Sequence, residues 1–109
     1  NDWKDIQRKV VFMKNNLKLK KENSSYGRNL NFKWNVDLNN NLILIDNNII
    51  YEIDGFFVEI WNALEYPKNI EEILQYCTER FEKLPENVRD QIKNELNFGI
   101  KEGYIIKKE

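Results

Sequence analysis

Apolar and polar positions alternate strictly from Leu30 to Leu38. Leu30, Phe32, Trp34, Val36 and Leu38 interleave with Asn31, Lys33, Asn35 and Asp37. Side chains of a strand point to opposite faces in turn, so this pattern predicts a half-buried strand. Asn39-Asn40-Asn41 enters left-handed conformations readily and predicts a turn. Leu42-Ile43-Leu44-Ile45 reads as a second strand, Asp46-Asn47-Asn48 as a second turn, and Ile49-Ile50-Tyr51-Glu52-Ile53 as the strand that completes an antiparallel meander. In that last strand Ile49, Tyr51 and Ile53 share one face, and Ile50 and Glu52 share the other. Upstream, Trp3, Ile6 and Val10 fall at helical intervals, Leu17-Lys18-Leu19-Lys20 alternates as a short strand would, and Asn23 to Gly27 has loop composition.

At Asp54 the period lengthens from two to 3.6. Asp54 is read as the cap of a first helix with Phe57, Ile60, Trp61 and Leu64 on its apolar face, ended by Pro67. Asn69 is read as the cap of a second helix carrying Ile70, Ile73, Leu74, Cys77 and Phe81. Pro85 lies near the start of a third, where Val88, Ile92, Leu96 and Ile100 recur every four residues, and Gly103 stops it. Tyr104-Ile105-Ile106 follows as an extended tail packed back on the core. The predicted class is α+β: a three- or four-stranded antiparallel meander followed by three helices in a winged-helix-like unit. Residues 30–109 form the domain and residues 1–29 an N-terminal extension.

Composition narrows the chemistry. The chain has 109 residues, 41% of them hydrophobic, enough for one packed core. It has no histidine and one cysteine, Cys77, which excludes an internal disulfide, a Cys/His metal cluster and a histidine-activated nucleophile. With 17 basic and 18 acidic residues it carries no overall field toward nucleic acid or an anionic membrane. A non-enzymatic protein without cofactor is expected, with a cytoplasmic location from the low cysteine use and the lack of a membrane-spanning run. The start at Asn1 fits a segment of a longer protein.

Taken in order, Leu42-Ile43-Leu44-Ile45-Asp46, Ile50-Tyr51-Glu52-Ile53-Asp54, Ile60-Trp61-Asn62-Ala63-Leu64, Asn69-Ile70-Glu71-Glu72-Ile73-Leu74 and Gly103-Tyr104-Ile105 resemble the PqqD-like family. Its members are the recognition elements of pathways that modify ribosomally made peptides. The resemblance covers residues 30–106; each piece is a short apolar pattern, and the ordered set carries the likeness. It implies a sheet packed on three helices. It also implies capture of a precursor's leader region as an added strand beside the third sheet strand, in a groove shared with the third helix.

Carried onto this chain, the docking edge is Ile49, Ile50, Tyr51, Glu52 and Ile53. The helical wall is drawn from Arg89, Ile92, Lys93, Leu96, Asn97 and Ile100, with Arg89 and Lys93 placed to meet an acidic leader. Glu95 and Gly99 depart from the bulky apolar residues common in relatives. Gly99 either opens a pocket in the groove or permits close helix packing. The implied partners are a precursor peptide and a peptide-modifying enzyme, separate or fused to this domain; a dimer through the open sheet edge is a further option.

The blander readings stand beside these. Trp61 and Trp34 read as core, Cys77 as a buried small hydrophobe, and Glu71, Glu72, Glu79 and Glu82 as a solvated helix face. Trp3 is open between packing on the sheet and contact in an assembly. The competing function is a DNA-binding winged helix or a regulatory domain. Against DNA binding, Arg89, Lys93 and Lys101 are offset by Glu86, Asp90, Glu95 and Glu102, which argues against a phosphate-binding face.

Overall fold

A computed structural model describes residues 24–109. The elements run β1 (Ser25–Arg28), β2 (Lys33–Val36), β3 (Leu42–Asp46), β4 (Ile49–Ile53), α1 (Phe56–Ala63), α2 (Ile70–Arg80), α3 (Val88–Glu102) and β5 (Ile105–Lys108). The predicted α+β class holds: β2, β3 and β4 form an antiparallel meander, and three helices follow. The predicted helix near Trp3 and the strand at Leu17 to Lys20 lie outside the described residues.

Asparagines shape both turns of the meander. In the first, the Asp37 carboxylate accepts the backbone N–H groups of Asn39 and Asn41 at 2.9 Å each, and Asn40 takes φ 63°. In the second, Asn47 (φ 49°) and Asn48 (φ 70°) make a two-residue connection between Asp46 and Ile49. Two successive positive φ values give the turn whose twist matches a hairpin, and Asn tolerates them better than most residues.

The alternation predicted from Leu30 to Leu38 survives only in its middle. Leu30 and Leu38 lie beyond β2 and are 86% and 105% exposed. Phe32 and Val36 pack against the core as expected. Trp34 is a correction: it is 44% exposed, its ring edge-on to Trp61 at 6.0 Å and covered by the Arg28 guanidinium at 4.6 Å. Arg28 also donates from Nε to the Trp61 carbonyl at 2.9 Å.

A second correction concerns Asn23 to Gly27, which composition marks as a loop. From Ser25 the chain is strand β1, paired antiparallel with β5 along its whole length, Ser25 opposite Lys108 and Arg28 opposite Ile105. Tyr104 and Ile105 are buried, so the predicted tail does pack back, and it does so as a strand.

The helices bury the faces their periodicity marks. Phe57, Ile60, Trp61, Ile73, Cys77, Ile92 and Leu96 meet Leu42 and Leu44 in one core. Asn69 caps α2 as predicted: its side chain accepts from Glu72 N at 2.8 Å, and Glu72 Oε1 accepts from Asn69 N at 2.9 Å. This reciprocal pair satisfies two of the orphan donors at a helix start. Asp54 is not the cap of α1. Gly55 holds that position with φ 79° and ψ −155°, backbone angles that a side chain disfavours, and no side chain caps the helix.

Candidate functional site

The strand predicted to dock a peptide is an edge. Among the described residues β4 pairs with β3 alone, leaving the backbone groups of its outer side without a strand partner. Such an edge is a template for another extended chain. Tyr51 and Ile53 turn inward against the core, while Ile49 and Ile50 are 53% and 67% exposed. The ladder sets Ile50 beside Ile45 and Ile45 beside Lys33 on the outer face. Glu52, also outward, accepts from Asn41 Nδ2 at 3.1 Å.

Helix α3 approaches the meander through a run of rings. Tyr51 lies 5.7 Å from Tyr104, Tyr104 5.9 Å from Phe98, and Phe98 5.3 Å from Phe57, each pair tilted or edge-on. Phe32 closes the group against Tyr51 and Tyr104. Residues three and four apart share one side of a helix, so Gln91, Glu95, Phe98 and Glu102 form a single flank of α3. Gln91, on this flank, joins Asp54, Gly55, Phe56 and Phe81 around an open cleft of about 560 Å³ just beyond the end of β4. Phe98 is 39% exposed, and its signal in the sequence is a lone aromatic on the polar side of an amphipathic helix.

The helical residues expected to face β4 lie elsewhere. Ile92 and Leu96 are buried at 0% and 1%, and Ile100 packs against the core. Arg89, Lys93, Leu96 and Asn97 line a different cavity, about 400 Å³, with Tyr26, Asn69, Ile70 and Glu71; none of Ile49 to Ile53 borders it. Arg89 is engaged there. Both of its terminal nitrogens donate to the Glu71 carboxylate, the NH2 branch at 3.0 Å, and the contact holds Glu71 below the usual carboxylate range. The same pairing raises the Arg89 guanidinium. Gly99 serves close packing. A Cβ built on it would fall into Cγ1 of Ile105 and lie 2.9 Å from Cε1 of Phe57, so no pocket opens there.

Other chemistry is sparse. Among the described residues no group of three or more His, Cys, Asp or Glu side chains is placed to hold a metal ion. Cys77 is buried, and burial pushes its thiol up, away from the reactive thiolate. Burial likewise raises the Glu95 carboxyl on the Phe98 flank. No described helix is long and apolar enough to cross a membrane.

No family model matches the chain, and neither a curated protein nor a solved structure matches it.

Proposed function

We propose that this domain captures an extended peptide by strand addition to β4, the peptide being the leader region of a ribosomally made precursor held for a modifying enzyme. The observation that carries this reading is the open outer edge of a five-residue strand, flanked by the exposed side chains of Ile49 and Ile50. Backbone pairing supplies affinity without regard to sequence, and neighbouring side chains supply the selection. The ring group from Tyr51 to Phe98 anchors β4 to the core beneath it. The resemblance of residues 30–106 to PqqD-like domains points the same way. A domain of this kind performs no chemistry itself; it raises the local concentration of the precursor at a catalyst.

The test is an NMR titration with the peptide encoded by a short reading frame beside the coding gene. The amides of Ile49 to Ile53 are expected to shift or broaden in step with binding. Shifts confined to other surfaces would remove β4 as the docking edge. Binding to duplex DNA that weakens steeply with salt would favour the winged-helix alternative instead.

A further inference from the structure

We propose that the strand taken by the β4 edge is cationic, with Lys or Arg spaced among apolar residues. The inference rests on the docking reading above and adds the charge class of the occupant.

Acidic side chains stand on the β4 edge and on the elements near it. Glu52 lies on β4, Asp54 follows its end, and Glu95 and Glu102 lie with Phe98 on the flank of α3; Glu59 on α1 is largely buried against Arg80. Basic groups stand among them, one of them engaged. Arg80 sits 3.4 Å from Glu59, Lys83 lines the cleft beyond β4, Lys33 stands on the outer face one strand away from Ile50, and Lys101 adjoins Phe98 on α3. Arg89 and Lys93, the two bases that suggest an acidic ligand, line the other cavity, where Arg89 is paired with Glu71.

The whole described body shares this bias. Residues 24–109 carry ten Lys and Arg against fifteen Asp and Glu, so the near-neutral total of the chain hides a negative folded unit. The balance comes from residues 1–23, with seven basic and three acidic side chains. A strand edge on a negative body attracts cations over distance and penalises carboxylates brought beside it. The exposed isoleucines and half-exposed Phe98 supply the apolar half of the match.

The experiment uses the full chain and two labelled synthetic peptides of equal length with blocked ends, one alternating Val with Lys and the other Val with Glu. Binding is followed by anisotropy at low salt, with amide shifts mapping the contact. The Lys peptide should bind about tenfold more tightly, as a few exposed charge pairs allow. It should shift Ile49 to Ile53 and Phe98. The preference should shrink in high salt and largely vanish in the Glu52→Gln, Glu95→Gln double variant.

Equal or tighter binding of the Glu peptide at the same amides would overturn the charge assignment and leave strand addition standing. No shift on β4 from either peptide would overturn both. Protection from hydrogen exchange of the outward amides of β4, those not bonded to β3, without added peptide would overturn the assignment to a separate peptide. Protection at every concentration would point to the chain's own basic residues 1–23, and protection rising with concentration to a second copy.

Discussion

At Gly99 the backbone of α3 comes so near β5 that a methyl group would collide with Ile105 and crowd Phe57. Alanine is the better helix former by about 1 kcal/mol, so an exposed helical glycine would gain from the change. Here overpacking wins, because Ile105 is 2% exposed and Phe57 1%, and neither has free space to move into. Gly99→Ala should therefore destabilise the fold by about 1–3 kcal/mol in urea denaturation. Trimming the obstacle supplies the control: in the Ile105→Ala background the added cost of Gly99→Ala should fall well below its cost in the native chain. The sequence alone left a groove pocket and close packing equally open, since the answer depends on a strand that arrives only after the helix ends.

Among the elements, α2 was the most legible, because its boundary is set within four residues. Asn69 and Glu72 satisfy each other's backbone donors and owe nothing to the rest of the fold. Asn69→Ala should lower stability by about 1 kcal/mol, measured by thermal or urea unfolding. The equivalent change at Asp54 should be close to neutral, since Asp54 makes no cap and the entry to α1 is set by the Gly55 backbone. The meander was legible for the same local reason, its alternation being broken by asparagine turns, and β4 has the bounds the pattern marks. Strand β1 was not legible. Ser25 to Arg28 becomes a strand only through β5 at the other end of the chain, and nothing in four residues announces that partner. The ends of the Leu30 to Leu38 run failed because alternation reports a preference for strand, while pairing with β3 covers only Lys33 to Val36.

For the molecule as a whole, the edge strand could be read from sequence and the way α3 turns against the rest could not. The flank of α3 bearing Phe98 meets the rings of Tyr104 and Phe57, while Arg89 and Lys93 lie on the side that lines the other cavity. The assembled core also sets how stability depends on pH. With no histidine, no side chain has an ordinary value in the neutral range, so stability should be nearly flat between about pH 6 and 8. On the acid side two carboxyls pull in opposite directions. Glu71, held low by Arg89, adds stability that is present above the usual carboxylate value and lost as pH falls through its depressed one. Glu95, raised by burial, is relieved as it takes up a proton. Both are partly or wholly exposed, so each effect is small. The alkaline side is steeper, because buried Cys77 and Tyr104 both titrate above their ordinary values. For an acid raised by folding, the unfolded chain ionises first. Its contribution is therefore complete below the unfolded value and is lost as pH rises past it. Melting temperature followed by circular dichroism should fall once pH exceeds the ordinary thiol value. Cys77→Ala should melt lower at neutral pH, from the cavity it leaves, yet lose less stability per pH unit above that value. An unchanged alkaline slope in this variant would mean that the thiol is not what the core keeps protonated.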